Sequence, residues 1–325
     1  MDESVFQDRV DFAKISGHVT KIKEEIGKVI VGQEEMIELL VAAMLAEGHV
    51  LIEGVPGVAK TLTAKLFSRI ISVGFSRIQF TPDLMPSDVL GTSVFNVKSA
   101  EFEFRPGPIF SNIVLIDEIN RAPAKTQAAL FEVMEERQVT IDGATHPMQK
   151  PYMVLATQNP IEHEGTYRLP EAQLDRFLFK TVVGYPNLED EVSILSKQQQ
   201  REGALALEEV APVLSAKDIA GMKSIVHKVH VEGPLVRYIA QIVQETRNNP
   251  MLFLGASPRA SIAILNGAKA FALIHGHDFI SPEDIKKIAL PVLRHRIVLS
   301  PEKEMEGVLP DTILQQLIDK IEVPR

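Results

Sequence analysis

Residues 54–61 read Gly-Val-Pro-Gly-Val-Ala-Lys-Thr, and this stretch lies between an apolar run and a segment of helical pattern. The two glycines would let the backbone wrap around a polyphosphate, toward which the free N–H groups of the following helix point. Lys60 suits the β- and γ-phosphates, and the hydroxyl group of Thr61 suits Mg²⁺. The stretch therefore predicts a phosphate-binding loop. The residue before the lysine is usually glycine, and here it is Ala59, whose small methyl group should still leave room for phosphate.

The loop belongs to a pattern of short apolar runs that alternate with helical segments in the first half of the chain. Nearly continuous apolar runs of this length fit strands of a parallel sheet that is covered on both faces. The alternation indicates strand–helix–strand units and hence a doubly wound α/β domain. The five apolar runs are His49–Glu53, Ser76–Thr81, Ile113–Ile116, Tyr152–Ala156 and Leu178–Val183.

The pattern changes near Pro186-Asn187. The sequence beyond this point contains no comparable strands, and six of its segments look helical. One of them begins Ser281-Pro282-Glu283-Asp284, which supplies a cap, a proline at the first helical position and acids in the first turn. We therefore expect a nucleotide-binding α/β domain over residues 1–187 and a smaller all-helical domain over residues 188–325.

The composition narrows the class of protein. The chain has 325 residues, with 34 Lys and Arg against 43 Asp and Glu, and a net charge of −9. The absence of cysteine excludes disulfides, thiolate metal sites and a cysteine nucleophile, and the acidic balance argues against general polyanion binding. No apolar run is long enough to span a bilayer, and the N-terminus lacks the apolar region of a signal peptide. A cytoplasmic location is therefore expected.

Two apolar runs end in polar side chains that suit nucleotide hydrolysis. One run leads directly into Asp117 and Glu118, and another is followed by Thr-Gln-Asn-Pro, which includes Asn159. Asp117 would lie beside Thr61 and anchor the Mg²⁺ ion, while Glu118 would act as general base toward the attacking water. Asn159 would orient that water or contact the γ-phosphate. Because ligands bind outside the carboxyl ends of parallel strands, these residues should converge with the phosphate-binding loop.

Two arginines are candidates for contact with phosphate. Arg176 lies just before the fifth predicted strand, where it is either an arginine finger or a partner of Asp175 or Glu171 in a surface salt bridge. Arg259 lies in the first turn of a predicted helix, where a cation opposes the helix dipole by about 0.3–1 kcal/mol. That penalty fits an arginine that faces a phosphate, and it equally fits one that reaches solvent.

Taken together, these motifs resemble those of AAA+ ATPases, and specifically of the MoxR family. The resemblance is carried, in chain order, by GVPGVAKT (54–61), LIDEINRAP (115–123), LATQNP (155–160), LPEAQLDRF (169–177) and GASPRA (255–260). It covers nearly the whole chain, and the last two motifs are far more specific than the phosphate-binding loop alone. The resemblance implies an AAA+ parallel-sheet domain with helices on both faces and a helical lid. It also implies a homo-oligomeric ring, usually a hexamer, with ATP bound between subunits.

The resemblance assigns roles to individual residues. Arg176 would reach the γ-phosphate of the neighbouring subunit, whereas Arg259 would act on the nucleotide of its own subunit. ATP or ADP and Mg²⁺ are the implied cofactors. Val31 lies in a segment that matches the family's adenine contact, with a plain core contact as the alternative. The residues implied in nucleotide binding are Val31, Gly54, Pro56, Gly57, Val58, Ala59, Lys60, Thr61, Leu62 and Asp117, with Thr61 and Asp117 at the metal. Those implied in catalysis are Glu118, Asn159, Arg176 and Arg259.

Two insertions fit the same family. Residues 92–105 show strand-like alternation, and residues 138–148 contain an Asp142-Gly143 turn signal, so both are predicted to be hairpins. In related ATPases, hairpins at these places line the ring pore or contact the substrate. The alternative is that they only pack against the domain.

The expected function is Mg²⁺-dependent ATP hydrolysis that drives chaperone-like remodelling, maturation or activation of a protein partner. The family implies that such a partner can carry a von Willebrand factor A domain on a separate polypeptide. A nucleic-acid motor is the alternative, but the first hairpin offers only Lys98 near its turn, beside Glu101 and Glu103. With the acidic net charge, no nucleic-acid partner is expected. A scaffold that binds ATP without hydrolysis is a third possibility, against which the complete set of hydrolytic residues argues.

Overall fold

The computed structural model describes residues 3–160, 167, 169–201 and 206–324. Its strands are β1 (Val50–Gly54), β2 (Phe75–Gln79), β3 (Gly91–Asn96), β4 (Glu101–Pro106), β5 (Ile113–Asp117), β6 (Gln138–Ile141), β7 (Ala144–Pro147), β8 (Met153–Gln158), β9 (Phe179–Val183), β10 (Leu252–Leu254) and β11 (Val298–Leu299). Its helices are α1 (Glu3–Gly27), α2 (Glu34–Leu45), α3 (Lys60–Ile70), α4 (Pro86–Leu90), α5 (Ala124–Glu136), α6 (Glu171–Leu174), α7 (Leu188–Gln200), α8 (Ala216–Val226), α9 (Gly233–Asn248), α10 (Pro258–Ile274), α11 (Pro282–Leu293), α12 (Pro301–Met305) and α13 (Pro310–Lys320).

A five-stranded parallel sheet in the order β2-β5-β8-β1-β9 forms the centre of the first domain. Successive side chains of a strand point to opposite faces of a sheet. Leu115 and Leu155 accordingly join a core with α1–α3 and the helices of the second half, whereas Val114 and Val154 join a separate core with α4 and α5. Both faces are buried in the central strands β5, β8 and β1, which explains their nearly uniform apolar sequences and confirms the predicted α/β fold.

The two predicted insertions form antiparallel pairs. β3 pairs with β4 from Gly91 opposite Pro106 to Asn96 opposite Glu101, and β6 pairs with β7 around the turn at Asp142. The hairpins also contact each other, since the hydroxyl group of Ser93 donates a hydrogen bond to the Asp142 carboxylate. These contacts hold both hairpins on the same side of the first domain.

The second half is helical, as predicted, with one addition. Strands β10 and β11, of three and two residues, form a small antiparallel pair between the ends of helices. Strands this short leave no readable alternation in a sequence, so they could not be predicted. No helix in the described part of the chain is both long and apolar enough to cross a membrane.

Arg296 ties the helical half to the sheet domain. Its side chain is 3% exposed and its Nε donates to Asp175 Oδ1 at 2.7 Å. Arg296 Nη2 donates a hydrogen bond to the Phe177 carbonyl oxygen at 2.6 Å, and Nη1 donates one to the Leu178 carbonyl oxygen at 3.1 Å, just before β9. A buried guanidinium needs such a full set of partners, so this contact fixes how the two halves meet.

Glu47 makes a second connection between the halves. It accepts hydrogen bonds from Arg137 Nη1 at 2.8 Å, at the end of α5, and from Lys223 Nζ at 3.1 Å, on α8. Burial by itself would raise the pKa of Glu47, but the Arg137 hydrogen bond and the nearby Lys223 charge hold that pKa at about 2. The Glu47 carboxylate therefore stays charged and keeps both cations in place.

His49, directly before β1, is buried as a neutral ring. Its Nδ1 accepts a hydrogen bond from the Val154 N–H group at 2.9 Å, which leaves Nε2 to donate to the Met134 carbonyl oxygen at 3.1 Å. Burial lowers the pKa of His49 to about 4, because a second ring proton would be desolvated and would also meet the Val154 N–H group. This neutral histidine connects β1, β8 and α5.

Acid should destabilise the protein through His49. The unfolded chain takes up this proton near pH 6.5, whereas the folded chain does so only near pH 4. The free energy of unfolding should therefore fall as pH drops from about 6.5 to 4, by on the order of 3 kcal/mol from this residue, and no further below that window. Urea unfolding between pH 7 and 4 measures the slope. His49→Gln should flatten it and the exposed-site control His230→Gln should not; equal slopes for wild type and His49→Gln would contradict this origin.

Candidate nucleotide-binding site

The loop after β1 has the backbone conformation of an anion cradle. Gly57 has φ +88° and Ala59 has φ +58°, so both adopt the left-handed region just before α3 begins at Lys60. An L-residue there costs about 1–2 kcal/mol, which explains why glycine usually precedes the lysine. Ala59 occupies the left-handed conformation that the motif requires, so the departure from glycine leaves the loop geometry intact. Lys60 Nζ donates to the Gly54 carbonyl oxygen across the loop.

Thr61 and Asp117, the two predicted metal ligands, are neighbours. The Thr61 hydroxyl group lies 3.4 Å from Asp117 Oδ2, and the Thr157 hydroxyl group donates to Asp117 Oδ1 at 3.0 Å. Arg77 Nε, from β2, donates to Asp117 Oδ2 at 2.5 Å and neutralises this buried carboxylate. Hydroxyl and carboxylate oxygens at this separation suit a small hard cation.

Glu118, the predicted base, follows β5 in a left-handed conformation with φ +57°. Its N–H group donates to the Thr157 hydroxyl oxygen at 3.0 Å, which fixes the backbone at this position. Its carboxylate accepts a hydrogen bond from Gln79 Nε2 at 2.7 Å and lies 3.2 Å from Arg121 Nε. Unusual backbone angles of this kind concentrate at functional sites, where they aim a side chain.

Asn159 lies on the same edge of the sheet. It follows β8, the neighbour of β5 in the sheet, and it is 8% exposed. The structure therefore brings Lys60, Thr61, Asp117, Glu118 and Asn159 together at the carboxyl ends of three adjacent strands, as the sequence predicts.

A cavity of about 670 Å³ opens beside the phosphate-binding loop, within the usual range for small-molecule sites. It contains the predicted residues Val31, Gly57, Val58, Ala59 and Leu62, and its remaining walls come from the chain after β9 and from one side of α7. The lining residues are Val29–Met36, Gly57, Val58, Ala59, Leu62, Thr181–Asn187, Asp190, Ile194, Gln198 and Arg201.

Gln33 joins the two walls of this cavity. Its Nε2 donates to the Val58 carbonyl oxygen at 2.8 Å, and its Oε1 accepts from the Thr63 hydroxyl group at 3.4 Å. The segment before α2 is thus tied directly to the phosphate-binding loop. The predicted adenine-contact segment and the phosphate-binding loop form one continuous concave site.

Arg176 and Arg259, which lie far apart in the sequence, meet at one carboxylate and are called here the arginine pair. Arg176 Nη1 donates to Glu135 Oε2 at 2.9 Å, and Arg259 Nη2 lies 3.6 Å from Glu135 Oε1. The Ser257 hydroxyl group donates to Asp175 Oδ2 at 3.0 Å and holds the two motifs together. The Arg259 side chain is 57% exposed, so it is available to a partner.

The arginine pair lies at the opposite end of β1 from the phosphate-binding loop. Glu135 is in the last turn of α5, where the adjacent Met134 carbonyl oxygen is 3.1 Å from His49 Nε2. His49 precedes β1 and the loop follows it, and a five-residue strand spans about 16 Å. The structure therefore places Arg259 away from the phosphate-binding loop of its own subunit, and the expected action of Arg259 on that subunit's nucleotide stays a prediction.

Four polar residues near the predicted base and metal ligands were not singled out from the sequence. Gln79 and Arg77 lie on β2, Arg121 lies in the turn after Glu118, and Thr157 lies at the end of β8. Thr157 did carry a signal, because it directly follows the apolar run that ends at Ala156, whereas Gln79 lies within the run 76–81 and gave no such signal. The position of Arg77 depends on the pairing of β2 with β5, which the sequence does not specify.

Comparison with known proteins agrees with this architecture. Residues 49–179 match the ATPase family associated with various cellular activities (AAA), and residues 244–317 match the AAA lid domain. The chain is 43% identical over 310 residues to the chaperone MoxR1 of Mycobacterium tuberculosis, covering 93% of this chain and 81% of that protein. It is 48% identical over 304 residues to YeaC of Bacillus subtilis, covering 94% of each. A crystal structure of a candidate ATPase from Cytophaga hutchinsonii superposes with a TM-score of 0.91 at 38% identity, over 100% of both chains.

A parallel sheet with a phosphate-binding loop and a helical lid defines an AAA+ nucleotide-binding protein. The chain belongs to the MoxR family of AAA+ ATPases. The family prediction made from the motifs is therefore confirmed, together with the fold class.

Proposed function

We propose that this chain hydrolyses ATP to ADP and phosphate with Mg²⁺, within a ring of identical subunits, and that it thereby remodels or activates a protein partner. The observation that carries the proposal is the convergence of Lys60, Thr61, Asp117, Glu118 and Asn159 on one sheet edge beside a 670 Å³ cavity. The relative MoxR1 of Mycobacterium tuberculosis is named a chaperone, and we extend chaperone-like work to this chain.

Each residue of the site has a definable task. The loop N–H groups and Lys60 bind the β- and γ-phosphates, and Asn159 orients the attacking water. Glu118 accepts the proton of that water as the new phosphorus–oxygen bond forms and the bond to the leaving ADP oxygen breaks. Thr61 and Asp117 would hold Mg²⁺, which supplies charge neutralisation at the phosphate oxygens. The donor set fits this ion, because a buried carboxylate and a hydroxyl oxygen, the hard donors that Mg²⁺ prefers, lie 3.4 Å apart.

The arginine pair supports a head-to-tail ring. It lies at the far end of β1 from its own subunit's phosphate-binding loop, and only a neighbouring subunit can bring such a group to the nucleotide. We therefore propose that both Arg176 and Arg259 act in trans, which revises the cis role implied for Arg259. Head-to-tail contacts of this kind close into rings, and the family favours a hexamer.

The first hairpin favours a protein client. Phe95 and Phe102 form an edge-to-face pair with ring centroids 5.2 Å apart, and their side chains are 49% and 73% exposed. Val97 at the tip is 82% exposed. Apolar and aromatic groups suit a polypeptide, whereas a hairpin that tracks nucleic acid needs a row of cations. A client that presents a von Willebrand factor A domain remains a prediction from the family, as does the cytoplasmic location.

Magnesium and assembly should both be required for turnover. Phosphate release should vanish when EDTA removes Mg²⁺ and return when Mg²⁺ is added in excess. Specific activity should also rise with protein concentration, because each site needs a neighbour's arginines; sedimentation velocity in parallel measures assembly. Activity that is independent of both Mg²⁺ and concentration would contradict the proposal. Stimulation by single-stranded DNA but by no protein partner would instead support the nucleic-acid alternative.

A further inference from the structure

Helix α7 presents an apolar surface that has no partner within the described part of the chain. None of its 13 residues is buried. Leu188, Val192 and Leu195 are 73%, 50% and 69% exposed, and their spacing of four and three places them on one side of the helix. Tyr185, just before the helix, is 74% exposed and also lines the rim of the nucleotide cavity. These four residues are called here the α7 face.

The other side of α7 belongs to the nucleotide site. Asp190, Ile194 and Gln198 line the cavity beside the phosphate-binding loop. An isolated helix of this length is only marginally stable in water, and its stability depends on packing of its apolar side. The α7 face is therefore an apolar surface at the rim of the nucleotide site that packs against no other described residues.

A second exposed apolar surface flanks the arginine pair. Phe253 and Leu254 on β10 are 77% and 45% exposed, and Ile262, one turn after Arg259 on α10, is 60% exposed. These three residues are called here the β10 edge. Ile262 lies one turn from Arg259, and three residues separate β10 from α10, the helix that carries this arginine. The proposed function sends that arginine into a neighbouring subunit.

The two surfaces are complementary and cannot meet within one subunit. The α7 face borders the cavity at the carboxyl end of β1, whereas the arginine pair lies near the amino end of that strand. The first turn of α7 is acidic, with Glu189 and Glu191 exposed, and the exposed cation Arg259 lies one turn from Ile262 of the β10 edge. Apolar surface therefore matches apolar surface, and negative charge matches positive charge.

We propose that the α7 face of one subunit packs against the β10 edge of a second copy of this chain, in a heterologous head-to-tail contact. This inference rests on the proposed trans action of Arg176 and Arg259. The contact seats the arginine pair at the mouth of the neighbour's nucleotide cavity, because the α7 face borders that cavity. Assembly and completion of the catalytic site are then one event, since the surface that holds the neighbour also positions its arginines.

Cross-linking tests the contact directly, because the native chain has no cysteine. The variant Leu188→Cys/Phe253→Cys, built on Glu118→Gln and saturated with ATP, should give a ladder of covalent multimers with a short bis-maleimide. Each single-cysteine variant should give no ladder, since a head-to-tail contact needs both surfaces. The control is Leu188→Cys/Val236→Cys. Val236 is 49% exposed but lies near the start of α9, about 18 Å along that helix from the end that leads into β10.

Serine substitutions on the two surfaces test how much the contact contributes to the stability of the assembly. Leu195→Ser and Phe253→Ser should each raise the protein concentration for half-assembly by about tenfold or more, as expected for truncation of an interface anchor. Binding of fluorescent ADP by the monomer and the thermal unfolding midpoint should stay unchanged, and Val236→Ser should assemble like the wild type.

The outcomes separate this contact from the proposed function. A cross-linked ladder with silent controls, together with weakened assembly of both serine variants, establishes the interface. Rings that form by sedimentation in the same sample but give no ladder, with serine variants that assemble normally, overturn the interface and leave the ring intact. The absence of any assembly with ATP overturns the proposed ring and this contact with it.

Discussion

Glu118→Gln should bind ATP normally and lose its turnover, with the rate reduced roughly 10²–10⁴-fold as expected for removal of a general base. Glutamine keeps the length and shape of glutamate, so the left-handed backbone at this position and the contact with Gln79 can persist. It cannot accept a proton from the attacking water. Binding should survive because Lys60 and Asp117, which we propose to hold the phosphates and the metal, are untouched. Phosphate release measures turnover, and fluorescent ATP measures binding.

The control for this variant is Glu322→Gln, which removes the same charge from an exposed position near the C-terminus. It should leave both binding and turnover at the wild-type level. Wild-type turnover in Glu118→Gln would remove Glu118 from the role of base. Loss of ATP binding would instead show that the carboxylate supports the loop. Because the variant should accumulate in the ATP-bound state, it is also the form in which a protein client can be captured.

The phosphate-binding loop and the strand-end residues could be predicted because their signals are local. Apolar runs of strand length and glycines at a strand–helix turn are visible in a single sequence. The parallel sheet then brings the ends of β1, β5 and β8 to one edge. Asp117, Glu118 and Asn159 needed no further information to be placed near Lys60. The same reasoning could have included Thr157, which directly follows the apolar run that ends at Ala156.

The position of Arg259 could not be predicted, because it depends on how the helical half packs against the sheet domain. That docking is fixed by long-range contacts such as Arg296 with Asp175, 121 residues apart, and Lys223 with Glu47, 176 residues apart. No local pattern encodes such pairs. The exposure of the apolar side of α7 could not be predicted for the same reason. The spacing of its apolar residues is the spacing found in any helix that packs within its own subunit.

Arg176→Ala should reduce turnover of assembled rings by roughly 10³-fold or more, the scale on which arginine fingers act in other nucleotide hydrolases. The guanidinium stabilises the charge that develops on the γ-phosphate, so its loss should slow the chemical step and leave ATP binding nearly unchanged. In the isolated chain Arg176 pairs with Glu135, an exposed ion pair that contributes little to stability. The thermal unfolding midpoint should therefore stay close to that of the wild type.

Mixing Arg176→Ala with Lys60→Ala should restore part of the activity. Neither variant is active alone, but an Arg176→Ala subunit keeps an intact phosphate-binding loop and a Lys60→Ala neighbour supplies an intact arginine. In equal, randomly mixed head-to-tail rings about one quarter of the interfaces combine both. Native mass spectrometry of one isotope-labelled variant confirms that mixed rings form. Mixed rings without activity would contradict the trans role of Arg176.

Two further mixtures decide on which subunit's nucleotide Arg259 acts. If both arginines act in trans, as their shared contact with Glu135 suggests, Arg259→Ala mixed with Lys60→Ala should regain activity. Arg259→Ala mixed with Arg176→Ala should not, because every interface then lacks one of the two arginines. Action of Arg259 within its own subunit reverses both results. An Arg176→Ala site would keep its own Arg259 and receive Arg176 from its Arg259→Ala neighbour. The mixture of Arg259→Ala with Lys60→Ala could not assemble a complete site, because every subunit would then lack either its own Arg259 or its own Lys60. The two mixtures together thus distinguish an Arg259 that acts on the nucleotide of its own subunit from one that acts on the nucleotide of its neighbour.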